Sequence, residues 1–119
     1  MMRRPLKLAS RKAGPVRVVK VSGRLDPGDG PDQLADMVQE FLNKDEIDFL
    51  LDLRSVTYVS STGVGSLIKT YRAVLKKKGK VKFLSPSQSV KNILSISKLD
   101  GLFEIFSDER TALASFQTA

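Results

Sequence analysis

The sequence predicts an α/β fold: a mixed, mostly parallel sheet of about five strands with four helices, in the order β-β-α-β-α-β-α-β-α. Three observations predict it. Short runs rich in branched and aromatic residues recur at residues 16–21, 47–53, 81–84 and 102–106. Between them, apolar residues return at three- and four-residue spacings, the pattern of helices with one buried stripe. Glycine, proline and short polar clusters punctuate the junctions. Strands that alternate with helices are joined by crossovers, which makes most neighbouring strands parallel.

The elements follow in order. Residues 5–10 alternate weakly and give a first strand. Residues 16–21, with Val16, Val18, Val19 and Val21, give a stronger second one. The link from Arg11 to Pro15 suits a hairpin loop, so this pair is antiparallel. Gly23-Arg-Leu-Asp26 closes the second strand, and Pro27-Gly-Asp-Gly-Pro31 is a dense breaker cluster. Pro31 fits a first helical position, with Asp29 and Asp32 flanking it. Leu34, Met37, Val38, Phe41 and Leu42 then form one apolar stripe, opposite Asp36, Gln39 and Glu40. A polar linker, Asn43-Lys-Asp-Glu46, leads into the strand at 47–53. A second helix spans 64–75, with Val64, Leu67, Ile68, Tyr71, Val74 and Leu75 as its stripe. Lys76-Lys-Lys-Gly-Lys80 ends it, its lysines complementing the helix dipole and Gly79 suiting a left-handed C-cap. The strand at 81–84 is broken by Pro86. Ser87 or Ser89 caps a third helix carrying Val90, Ile93 and Leu94, its length marked by Ser97 to Leu99. After the strand at 102–106, Ser107-Asp-Glu-Arg110 opens a last helix with Leu113 and Phe116.

At 119 residues the chain reads as a single domain, 1–119, long enough to bury roughly two-thirds of its unfolded surface. No apolar run approaches the roughly 18 residues of a membrane span, and no apolar segment follows the basic N-terminus as a secretory signal requires, so the expected location is cytoplasmic. There is no Cys and no His, which excludes disulfides, thiol nucleophiles, Cys/His zinc sites and His-based triads. Asp45-Glu46 is a carboxylate pair but lies in a linker; Asp26 and Asp52 read as strand-terminal and could meet in space, and a hydrolytic site would rest on those. No calcium loop is present. Gly28-Asp-Gly30 and Gly63-Val-Gly65 match neither dinucleotide nor Walker phosphate loops. The expectation is therefore a protein that is not an enzyme and carries no cofactor. The net charge of +7 is unevenly spread: residues 25–60 carry nine acids and two bases, residues 61–98 nine bases and no acid. An acidic partner or a nucleic acid would be drawn to the second block, but no aromatic residues are interleaved in the lysine run, which disfavours nucleic acid.

Between the third strand and the second helix lies Ser60-Ser61-Thr62, followed by Gly63 and Gly65. Hydroxyls at this place accept bonds from the orphan N–H groups of a first helical turn. The glycines allow a tight turn and close approach of another surface. A phosphate on such a hydroxyl is favoured by the helix dipole and adds about two negative charges at one point. It leaves the fold intact while spoiling the surface for a close-packing partner. The plain alternative is that the triplet only caps the helix.

The string Asp52-Leu-Arg-Ser-Val-Thr-Tyr58-Val-Ser-Ser61-Thr-Gly63-Val-Gly65 resembles the core motif of the STAS domain, and more narrowly the stand-alone bacterial anti-sigma factor antagonists. Gly23-Arg-Leu-Asp26 is similar to that family's turn after the second strand, and the likeness runs over residues 5–117. The resemblance implies a partner switch. The unphosphorylated antagonist binds an anti-sigma factor that is a serine/threonine kinase, which frees the sigma factor for transcription; the kinase phosphorylates the antagonist and a PP2C-type phosphatase reverses this. By position the phosphoacceptor is Ser61, and the partner-binding set is Arg24, Asp26, Ser60, Ser61, Thr62, Gly63, Gly65, Ser66 and Lys69. Ser60 stands where the family has Asp, which offers a second hydroxyl as acceptor. The basic second helix, with Lys69, Arg72 and Lys76 to Lys78, suits an acidic partner surface. A STAS subunit of a sensory or transport assembly that is never phosphorylated, and a small nucleotide- or nucleic-acid-binding domain, are the alternative readings.

Overall fold

A computed structural model describes residues 5–84, 87–96, 98, 101 and 103–117. Its elements are β1 (Lys7–Ala13), β2 (Val16–Leu25), α1 (Gln33–Leu42), β3 (Asp48–Val59), α2 (Ser61–Lys76), β4 (Lys80–Leu84), α3 (Gln88–Ile96), β5 (Ile105–Phe106) and α4 (Glu109–Ser115). The strands lie side by side in chain order, β1-β2-β3-β4-β5. β1 runs antiparallel to β2, and every later pair is parallel. The element order and the mixed sheet are those expected from the sequence.

Alternation along the strands divides two cores. Val19, Val21, Phe49, Leu51 and Phe83 face α1, α2 and α3, meeting Leu34, Val38, Leu67, Val74, Val90 and Leu94. Val16, Val18, Leu50 and Leu84 point the other way, where Ala112 and Phe116 of the α4 region cover them.

Several boundaries differ from the sequence reading, each for a local reason. β1 continues to Ala13, so the hairpin loop is only Gly14 and Pro15, with Gly14 at φ 61°. Two-residue hairpins demand such a positive φ, which glycine supplies without strain. α1 begins after Pro31: Asp32 is its N-cap, and its carboxylate accepts from the Ala35 N–H at 3.1 Å. β3 extends six residues past the expected end, because Ser55 to Val59 pair in parallel with Ser22 to Leu25 of β2. The left-handed residue after α2 is Lys78 (φ 62°), not Gly79. Gly79 is small for another reason: a Cβ there would sit 2.0 Å from the Ile47 carbonyl oxygen. β5 is only Ile105 and Phe106, paired with Phe83 and Leu84, and just ahead of it Phe103 stacks on Phe83 with ring centroids 4.2 Å apart. The last helix starts at Glu109, with Asp108 as its cap. Ser87 makes a long 3.4 Å capping contact with the Val90 N–H. Pro86, Ser97, Leu99 and Leu102, used above as markers, lie outside the described residues.

Candidate functional site

The site is built where β2 and β3 end together. Their parallel register sets Leu25 beside Val59, so the turn after β2 and the start of α2 are neighbours. The Ser60 N–H donates to the Leu25 carbonyl at 3.2 Å. The first turn of α2 then lies so close to β2 that a Cβ on Gly63 would stand 2.1 Å from the same carbonyl oxygen. Glycine at 63 is thus required by the contact of helix and strand.

The three hydroxyls have three different fates. Ser60 is the N-cap: its Oγ accepts from the Gly63 N–H at 3.1 Å and lies 2.9 Å from Thr62 Oγ1. Thr62 Oγ1 also accepts from the Gly28 N–H at 3.0 Å and so ties the Pro27–Pro31 loop to the helix. Ser61 is the first helical residue; its side chain is exposed and makes no hydrogen bond among the described residues. The loop is a turn closed by the Gly30 N–H on the Pro27 carbonyl at 2.8 Å, with Gly28 at φ 56°. α2 carries no acid in its first turn, so the positive end of its dipole is uncompensated by its own side chains.

Two residues expected at the partner surface are inside instead. Ser66 is 1% exposed and donates to Asp32 Oδ1 at 2.7 Å, while Gly63 is buried against β2. They hold α2 against Asp32 and the end of β2. Thr62, Gly65 and Lys69 are exposed. Arg24 and Asp26 stand at the end of β2, 3.9 Å apart, and the Arg24 guanidinium lies 4.1 Å above the ring of Tyr58. Tyr58, 42% exposed, is a residue that sequence reasoning passed over as a functional candidate. Only the register that sets Arg24 opposite Tyr58 brings it out. Asp32 is another: the Pro-Asp sequence before an apolar stripe announces a cap, but nothing local announces its bond to Ser66.

The expected meeting of Asp26 and Asp52 does not occur. Asp52 lies mid-strand in β3, opposite Lys20. Lys20 is six residues before Asp26 on β2, about 20 Å along an extended strand. Burial pushes the Asp52 carboxyl up, but hydrogen bonds from the Arg54 guanidinium, at 3.0 and 2.9 Å, and from the Arg54 N–H outweigh it and hold the group below the ordinary carboxylate range. A carboxylate held ionised in this way makes a structural ion pair and a poor proton donor. Among the described residues no group of three or more acidic side chains is placed to hold a metal ion, and no helix is long and apolar enough to cross a membrane.

Residues 7–112 match the STAS domain. A "putative anti-sigma factor antagonist" of Thermotoga neapolitana is 32% identical over 78 residues, 66% of this chain and 69% of that protein. The fold is similar to the crystal structure of an anti-sigma factor antagonist from Mycobacterium paratuberculosis, with a TM-score of 0.83, 21% identity, and coverage of 98% of this chain and 100% of that one. It is also similar to the Bacillus cell fate determinant SpoIIAA in its phosphorylated form, with a TM-score of 0.70, 17% identity, and coverage of 93% and 98%. Sheet order, the capped start of α2 and the sequence match over most of the length agree: the chain belongs to the STAS domain family.

Proposed function

We propose that this chain is an anti-sigma factor antagonist: unphosphorylated, it binds an anti-sigma factor serine/threonine kinase at the start of α2, and phosphorylation of Ser61 switches that binding off. The observation that carries the reading is the division of labour among the hydroxyls. Ser60 and Thr62 are occupied in capping and loop anchoring, and Ser61 projects into solvent. The Ser60 position, which carries Asp in the family pattern, needs only an oxygen that accepts from Gly63, and serine supplies one. Kinase action would transfer the γ-phosphoryl group of ATP to Ser61 Oγ, releasing ADP, with the hydroxyl proton taken by a base of the kinase. The dianion formed would stand at the positive end of α2, whose first turn has no acid of its own, where it is tolerated without refolding. It would also place a bulky, hydrated charge at the centre of a surface made of Thr62, Gly65, Arg24 and Tyr58. A PP2C-type phosphatase would restore the alcohol, and the location that fits this role is the cytoplasm.

The relatives support the reading: the Thermotoga protein carries the antagonist description, and SpoIIAA is known in an unphosphorylated and a phosphorylated form. The test is intact-mass analysis after incubation with the co-encoded kinase and ATP. One phosphate should be added, and Ser61→Ala should abolish it while Ser60→Ala does not. Phosphate lost with Ser60→Ala instead would move the switch to the cap. No phosphate from any co-encoded kinase would favour an unmodified STAS subunit of a larger assembly.

A further inference from the structure

We propose that the exposed ridge of α2 running from Ser61 through Gly65 to Lys69, Arg72 and Lys76 is a docking face for an acidic protein surface, carried by the same partner that reads Ser61. This rests on the Ser61 reading above and adds the chemistry of the partner.

Helical spacing puts these residues on one line. Steps of four and three residues keep to a single face, and fifteen steps of helix give a ridge about 22 Å long. All five residues are exposed. The ridge is wholly cationic beyond its first turn, and residues 61–98 contain no acid at all. Lys69, Arg72 and Lys76 take part in no ion pair among the described residues. A row of unpaired cations repels itself, and an acidic partner surface relieves this.

Gly65 is the second observation. Glycine inside a helix is destabilising relative to alanine, and it is usually retained where something must approach closely. Within the protein nothing does: a Cβ at Gly65 would meet no atom within 4 Å, in contrast to the tight contacts at Gly63 and Gly79. The open space above the Gly65 backbone lies one turn from the Ser61 hydroxyl, where a partner's chain can seat. Beside the ridge stands Leu75, an apolar side chain 47% exposed. The one aromatic residue of α2, Tyr71, turns away to pack on Phe103 with ring centroids 5.1 Å apart, so the ridge offers no stacking platform for bases. A cationic strip with an apolar side chain at its flank, continuous with a switchable hydroxyl, fits an acidic protein face better than a nucleic acid.

The test uses the full chain and three probes: the kinase that modifies Ser61, a glutamate-rich helical peptide with leucines on one face, and a DNA duplex. Affinities are measured at low and high salt for the wild type, for Lys69→Glu/Arg72→Glu/Lys76→Glu, for the neutral Lys69→Gln/Arg72→Gln/Lys76→Gln, and for Gly65→Ala. The expected result is kinase binding weakened by at least about tenfold in the glutamate variant, less in the glutamine variant, with most of the salt dependence lost in both. Gly65→Ala should weaken kinase binding while its melting temperature does not fall. Equal affinity of wild type and glutamine variant for the kinase would overturn the ridge, and the Ser61 switch would still stand on its own mass-spectrometric test. If no kinase engages the chain, the peptide decides: binding that both triple variants lose supports the ridge, and no binding overturns it. Tighter binding of the duplex than of the peptide by the wild type would also overturn it.

Discussion

Three adjacent hydroxyls, Ser60, Ser61 and Thr62, share one chemistry and differ only in what the backbone lays beside them. Their presence before a helix was legible in the sequence, as was the need for one of them to cap it. Which one remained exposed was not, because the partners that occupy the other two include Gly28, thirty-four positions away from Thr62. Thr70 makes the same point from the core. Reading α2 by its apolar residues placed Leu75 in the stripe, yet the buried line of the helix runs through Gly63, Ser66, Leu67, Thr70 and Val74, and Leu75 is outside. Small and weakly polar side chains let α2 approach the sheet closely, and a hydrophobicity pattern cannot see that. Thr70 Oγ1 is buried with no partner among the described residues. Thr70→Val keeps the shape and removes a desolvated hydroxyl, so it should stabilise the protein by about 1 kcal/mol. That is a rise of roughly 4 °C in melting temperature for a chain of this size, checked by calorimetry. A fall would mean that the hydroxyl has a partner in solution.

Whole elements were easier to read than their ends. All nine came out in the expected order, since hydrophobic periodicity is set by burial on one face. The ends depended on pairing: β3 ran on because β2 was there to pair with it, and β5 is limited to the two residues that pair with Phe83 and Leu84 of β4. Ion pairs between elements were likewise invisible. Arg17 of β2 reaches Glu46, just ahead of β3, with two bonds of 2.9 Å, and lies 4.2 Å over the Phe41 ring of α1. The Arg17 hydrogen bond, together with its charge and that of Lys12, holds the Glu46 carboxyl below its ordinary value against a smaller opposing effect of burial. A carboxylate whose folded pKa is depressed contributes stability above its unfolded pKa of about 4.3 and loses it as pH falls through the folded value. Glu46→Gln should therefore lower the melting temperature at pH 7, and the gap to wild type should close on acidification below about pH 4. A pH-independent gap, followed by thermal melts across that range, would mean that Glu46 acts by packing alone.

At the scale of the whole molecule, the fold class and the family motif were both present in the string of residues. The surface was not, because it depends on the meeting of β2, the Pro27–Pro31 loop and α2. The division of the chain into acidic and basic blocks could be counted in the sequence, but only the fold aligns the basic block into a ridge that begins at Ser61. Because Ser61 makes no hydrogen bond among the described residues, Ser61→Asp should leave the melting temperature within about 2 °C of wild type or slightly above it, a carboxylate in a first turn being favoured by about 0.3–1 kcal/mol. On the proposed switch the same variant should bind the anti-sigma factor kinase more weakly; undiminished affinity, measured by titration calorimetry, would remove the charge-switch mechanism. β3 passes into α2 through one residue, Ser60, which also caps the helix. On the proposed switch, a phosphate on Ser61 would therefore act at the surface, one residue from the sheet. If Ser61 is that switch, the lag between a change in kinase activity and a change in bound partner should follow enzyme turnover and diffusion.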